Sequence, residues 1–286
     1  MLQLVLVLSF FHASNAFAED KKGPSYFHRP NTQGLSRIED NSFLLEEAYN
    51  QERGVVQFIQ AFQWNKKARS FDYTFANEIP ITDEKHQFSY TIPVSMNKDD
   101  SHSQGIGDVS LEYRTQWVKR RDEVLVATKF SLFTPIGSVK RGMGAGRYGV
   151  KANHAITSIL SDFFVTHWNF GSTYYPQSEN VEGGTNSTTS FNYGMSLFYM
   201  KSDTFNPFVE LYAADDEVVN EAGDSHKVGS TRQHSFTVNP GMRWAINNEG
   251  GSQLVPGISF PYTLGTNGAE SERGILLYCS FEDKYW

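Results

Sequence analysis

Seven charged residues are the candidates for chemistry in this chain: Asp108, Glu112, Arg114, Lys129, Lys151, Glu210 and Arg243. In GDVSLEYRTQW, residues 107–117, Asp108, Glu112 and Arg114 share every second position with Ser110 and Gln116, while Val109, Leu111, Tyr113, Thr115 and Trp117 fill the alternate set. Side chains alternate across a strand, so this segment has one apolar face and one wet, charged face. Facing a water-filled interior, three acids and four bases could bind a charged solute or pair into a hydrogen-bonded network that holds the wall together. The network is the expected role, and the near balance of charge predicts weak selection by sign.

Other motifs offer less. Gly144-Ala145-Gly146-Arg147-Tyr148-Gly149 matches the spacing of a dinucleotide fingerprint, which needs a helix next to receive the pyrophosphate. Instead Tyr148, Val150, Ala152, His154 and Ile156 continue the chain at strand spacing, so the glycines are expected to form a loop. A hydrolase would need a histidine and a serine within reach on one face. His154 falls on the apolar set with Ile156 two residues on, and His167 falls on the polar set beside Asn169 with no hydroxyl at an obvious matching position. His226 and His234 flank an acidic stretch near Asp224 without metal-ligand spacing. No catalytic residue, metal or cofactor is therefore expected. Cys279, the single cysteine, can form no intrachain disulfide and sits on the apolar set of its segment as a small hydrophobe. A net charge of −7 without a basic, aromatic-interleaved cluster excludes nucleic acid as a partner.

The elements that position these residues repeat with a period of two. About twelve alternating segments occupy residues 54–64, 70–80, 86–95, 107–117, 124–134, 147–157, 162–175, 190–200, 205–213, 234–245, 253–262 and 273–281. Each has roughly the nine to eleven residues of a tilted membrane strand. Connections after even-numbered segments are short and polar: ITDEK, VKRRDE, SILS, KSDT and NNEGGSQ. Those after odd-numbered segments are mostly long, as in NKDDSHSQGI, PIGSVKRGMGAG, PQSENVEGGTNSTT and residues 214–233. Short turns on one rim and long loops on the other are the pattern of an up-and-down barrel in an outer membrane. A ring of twelve strands is too wide for the smaller, charged set to fill as a soluble core, so that set is expected to face water inside and the apolar set lipid. Trp64, Trp117, Trp168, Trp244, Tyr174 and Tyr199 fall mostly near segment ends, where aromatic girdles sit.

Residues 1–18, MLQLVLVLSFFHASNAFA, end in Ala16-Phe17-Ala18 before the charged Glu19-Asp20-Lys21-Lys22 and are expected to be a secretory signal peptide. Ser9, His12 and Asn15 interrupt a run already shorter than the ~20 apolar residues of a membrane helix. Residues 19–53 form a polar lead-in whose apolar positions are Phe43, Leu44, Leu45, Ala48 and Tyr49. Asn41 or Ser42 could cap one or two helical turns there. The segment is expected on the periplasmic side resting on the rim, with a partial internal plug as the alternative.

NSFLLEEAYNQERGVVQ, IGDVSLEYRTQW, Pro135-Ile136-Gly137 with its glycine-rich loop, and Asn169-Phe170-Gly171 together resemble the transporter-like outer-membrane proteins labelled for a phenol-degradation meta-pathway. The resemblance covers most of the mature chain and implies passage of hydrophobic or aromatic compounds. Its motifs are structural and carry no binding residues over. At the end of the chain Trp286 supplies a terminal aromatic, but Glu282, Asp283 and Lys284 break the alternation before it.

Residues 54–286 are thus expected to form an all-β fold, a transmembrane up-and-down antiparallel β-barrel of about 12 strands in a bacterial outer membrane. It should act as a channel or uptake protein, with membrane lipid, small-molecule solutes and the barrel-assembly machinery as partners. The alternatives are an outer-membrane lipid-modifying enzyme and a soluble secreted ligand-binding barrel. A folded membrane barrel resists detergent until heated, so unboiled protein should migrate differently from boiled protein on a detergent gel. Identical migration would count against this fold.

Overall fold

The computed structural model of the protein describes residues 38, 42–81, 84–97, 104–120, 124–220, 228–248 and 251–285. Its strands are β1 (Val55–Asn65), β2 (Ser70–Pro80), β3 (His86–Asn97), β4 (Gln104–Ile106), β5 (Ser110–Arg120), β6 (Val124–Phe133), β7 (Gly149–Ser161), β8 (Phe164–Glu179), β9 (Thr185–Tyr199), β10 (Phe205–Val219), β11 (Ser230–Trp244), β12 (Ile246–Asn247), β13 (Gln253–Ser259), β14 (Tyr262–Thr266) and β15 (Glu272–Lys284). Neighbours pair antiparallel around the ring, and β1 pairs with β15 from Val55↔Lys284 to Asn65↔Gly274. Counting β13 and β14 as one interrupted strand, and leaving aside the short additions β4 and β12, the closed barrel has twelve strands. Closure leaves no row of unpaired amides facing hydrocarbon, which is why a sheet can live in a membrane only as a barrel.

The interruption has a local cause. Pro261 has no N–H to give the ladder, and Pro240 on β11 lacks one as well. Phe260 N donates to the Pro240 carbonyl at 2.9 Å and Gly274 N to that of Pro261 at 2.9 Å, so the break is bridged.

Several boundaries differ from the sequence expectation. The fourth segment begins at Ser110 rather than residue 107, because Asp108 is turned to hold a loop. The stretches expected to be loops at 176–189 and 214–233 carry strand at both ends, paired outward as far as Glu179↔Thr185 and Val219↔Ser230. Beyond the apolar band both faces of a strand meet water, so the two-residue alternation fades while backbone pairing persists.

Register fixes the facing. Phe130 pairs with Tyr113 and Ala152, and Lys129 with Arg114 and Asn153, so the aromatic set lies on one face and the charged set on the other. The first face is exposed: Trp117 is 64% accessible and Phe130 49%. The second holds Gln57, Gln87, Arg114, His167, Ser196, Asn206, Glu210 and Asn239, each 2% accessible or less. This inversion of the soluble pattern suits a lipid exterior. Apolar packing inside includes two small patches, Ala48 with Leu125, Ala127 and Ala155, and Phe43 with Val165, Phe198, Met200 and Phe208. Both patches recruit residues of the lead-in.

Phe130→Arg places a charge on the outer face near mid-strand and should cost about 2–4 kcal/mol in refolding titrations into lipid vesicles. Thr74→Lys, on the inner face opposite Ala61, should cost far less. Equal costs would contradict the facing.

Candidate functional site

Backbone polar groups must find partners, and residues 42–51 find theirs on the wall. Leu44 N donates to Glu210 Oε1 at 3.1 Å, Glu46 N to Asn169 Oδ1 at 2.9 Å, Ala48 N to Thr157 Oγ1 at 3.0 Å and Gln51 N to Gln87 Oε1 at 2.8 Å. Asn169 Nδ2 returns a bond to the Glu46 carbonyl at 2.7 Å. These partners stand on β10, β8, β7 and β3, and a ten-residue stretch can reach them all only from inside the ring. The helical turns expected after Ser42 do not form, and Asn41 lies outside the described residues. Wall side chains take the N–H groups that a helix would have used internally.

Ion pairs run along the same path. Glu47, fully buried, lies 3.4 Å from Arg243 Nη1 and 3.5 Å from His167 Nε2. The Arg243 guanidinium sits 4.3 Å over the Phe198 ring, a cation–π contact that orients it. Arg114 donates to Asn50 Oδ1 at 2.7 Å, to Glu78 Oε2 at 3.1 Å and to the Glu47 carbonyl at 3.4 Å. Lys129 Nζ bridges Glu46 at 2.6 Å and Glu112 at 3.1 Å, and Glu112 also accepts from Ser110 and Ser89. Glu210 accepts from Asn239 Nδ2 at 2.6 Å.

Five of the seven candidate residues, Glu112, Arg114, Lys129, Glu210 and Arg243, therefore belong to this network around residues 42–51. Sequence reasoning did not identify Glu46, Glu47, Asn50 or Glu78, whose partners are far along the chain and obey no period. Asp108 lies at the opposite rim. Its Oδ1 accepts Gly137 N at 2.9 Å and its Oδ2 accepts Ala145 N at 2.8 Å, pinning the glycine-rich loop. A Cβ on Gly144 would fall 2.4 Å from Asp108 Oδ1, so only glycine admits this approach. The Lys151 ammonium makes no hydrogen bond or ion pair among the described residues. The expected loop at 144–149 leads into β7, with no helix to hold a phosphate.

The histidines need one correction. His167 does have a hydroxyl partner: Thr157, its register neighbour, lies 2.9 Å from Nδ1. With Glu47 this makes a Glu–His–Thr sequence, but none of the three is more than 1% accessible and Thr157 already accepts Ala48 N, so no substrate can reach it. His154 on the outer face has Thr128 Oγ1 at 2.9 Å, and that hydroxyl also accepts the Trp117 indole N–H at 2.9 Å. Thr128 is 3% accessible, shielded from any lipid ester. Scanning along a strand missed both hydroxyls because they lie across the ladder. His226 and Asp224 lie outside the described residues. Among the described residues no His, Cys, Asp and Glu cluster is arranged for a metal. At the long-loop rim Asp215 pairs with Arg232 at 2.8 Å, and His234 Nδ1 lies 3.6 Å from the same carboxylate.

A model of the family described as "Putative MetA-pathway of phenol degradation" matches residues 32–274. Among solved structures, an outer membrane channel of the COG4313 group from Pseudomonas putida F1 aligns over 85% of this chain and 100% of its own, with TM-score 0.57 and 12% identity. The NanC porin aligns over 78% of this chain and 98% of its own, with TM-score 0.51 and 10% identity. At such identities the likeness is one of fold, the barrel of outer-membrane channels and porins. No curated protein matches the chain.

Removing one member of a buried pair leaves the other charge uncompensated. Glu47→Ala should therefore lower stability by about 3–5 kcal/mol, read from urea unfolding of barrels refolded in vesicles. An unchanged midpoint would separate the segment from the energetics of the fold.

Proposed function

The chain belongs to this family, and on that premise we propose that it is an outer-membrane channel for uptake of small molecules, closed from within by residues 42–51. The observation that carries the reading is the chemistry of the closure. Hydrogen bonds and ion pairs hold most of the segment's length to a wall rich in amides, hydroxyls and charges, with apolar packing at Phe43, Leu45, Ala48 and Tyr49. Water can replace polar contacts one for one, so a hydrophilic wall stays solvated when the segment leaves. An apolar interface would instead expose a dry core.

In this reading residues 1–18 are a signal peptide, residues 19–53 a periplasmic lead-in ending as a partial plug, and residues 54–286 the barrel, placed in the membrane by the barrel-assembly machinery. The short-turn rim faces the periplasm, where β1 begins. Glu112, Arg114, Lys129, Glu210 and Arg243 line the lumen as the seat of the plug, Lys151 lines the open part above it, and Asp108 shapes the mouth. The family description supports small aromatic solutes. The protein acts as a channel rather than an enzyme, a reading supported by the channel and the porin whose barrel it resembles.

Planar-bilayer recordings test this directly. The full chain should pass little or no steady current, and a variant lacking residues 42–50 should pass an ohmic one. Silence from a deletion variant that still shifts on heating would overturn the channel reading.

A further inference from the structure

Each inward cation bonded to the lead-in has its carboxylate: Arg114 has Glu78, Lys129 has Glu46 and Glu112, and Arg243 has Glu47. Lys151 has none within ion-pair distance among the described residues. It stands on β7 level with Ser131 of β6 and Thr173 of β8, two residues nearer the long-loop rim than the level of Lys129 and Asn153. Asp216, on β10, hydrogen-bonds Ser190 and acts on Lys151 only through space, as do Glu46 and Glu112. At the level below, Asn153 is 2% accessible, and its Oδ1 has no partner while its Nδ2 donates to Asn169.

Directly above Lys151 the same three strands carry an aromatic ledge. Phe133 is the register partner of Gly149, and the Phe133 and Tyr175 rings stack with centroids 5.8 Å apart and planes inclined by 27°. A Cβ on Gly149 would fall 2.3–2.6 Å from three carbons of the Tyr175 ring, so the ring lies over bare backbone that only glycine provides. The level of the ledge and that of Lys151 are two residues apart along the strand, a backbone rise of about 7 Å, close to the length of a benzoate-sized molecule.

We propose that Lys151, flanked by Ser131 and Thr173 beneath the Phe133–Tyr175 ledge, forms a binding station for a small aromatic carboxylate. A half-buried ammonium without a counter-charge is costly, and a diffusing carboxylate supplies what the wall withholds. A neutral hydrocarbon would leave Lys151 unsatisfied, and an aliphatic acid would leave the ledge empty. An ionised aromatic acid uses both, and its charge keeps it soluble in a hydrated lumen. The inference deepens the channel reading, on which it rests for its meaning, by naming a solute class.

Equilibrium binding to the full-length protein in detergent tests it without any current. Benzoate should bind about tenfold more tightly than acetate or benzyl alcohol. Lys151→Gln should abolish that preference over benzyl alcohol, Lys151→Arg should restore it, and Tyr175→Ala should weaken benzoate while leaving acetate unchanged. Each variant is first shown to be folded by its shift on heating. Benzoate binding no tighter than benzyl alcohol, or unaffected by Lys151→Gln, overturns the station. Benzoate binding as expected in a protein whose deletion variant passes no current would keep the station and reject the channel.

Discussion

Hydrocarbon gives a backbone amide nothing to bond to, and the rest of this structure depends on that single deprivation. A sheet in such a solvent has to meet itself, and here Val55 to Asn65 meets Gly274 to Lys284 along eleven paired positions. Closure with twelve strands produces a ring wider than its own side chains can fill with a dry core. The apolar residues go outward, the polar ones inward, and the interior becomes a second solvent problem that the wall alone does not solve.

The lead-in addresses part of that problem with polar chemistry. Its backbone bends at residues 43–45 and 48 without forming helix or strand, and Glu210, Asn169, Thr157 and Gln87 take up N–H groups that would otherwise be orphaned. Its acids meet basic groups of the wall: Glu47 sits between Arg243 and His167, and Glu46 joins Glu112 of the wall at Lys129. Buried networks of this kind are secure when complete and expensive when broken. The same residues that look like a pore lining in isolation are thus the seat of a segment.

Much of the barrel was legible because it is periodic. GDVSLEYRTQW and VLVATKFSLF declare their faces by alternation alone, and the parity of connection lengths points to the two rims. What was not legible depends on contacts between distant positions. Glu47 and Arg243 share no local pattern, and nothing near Ser42 announces that its backbone will be satisfied by β7, β8 and β10 instead of by a helix. The hydroxyl beside His167 required the register Thr157↔His167, which no single segment contains. Strand ends were missed for a different reason: past the apolar band, residues such as Asp215, Asp216 and Glu217 keep their ladder without alternating in polarity.

The seam between β1 and β15 joins the first strand to the last, which gives it the greatest sequence separation of the strand pairings. Loop-closure entropy makes such contacts late ones. Until the final strand arrives, the ring is an open ribbon with two raw edges, and the pairs between the lead-in and β3, β5, β7, β8, β10 and β11 have no enclosed space in which to gather. The first described residues of the chain are consequently among the last to settle. Residues 42–51 are docked only when the last strand has been placed, so the interior network reports on completed assembly rather than guiding it.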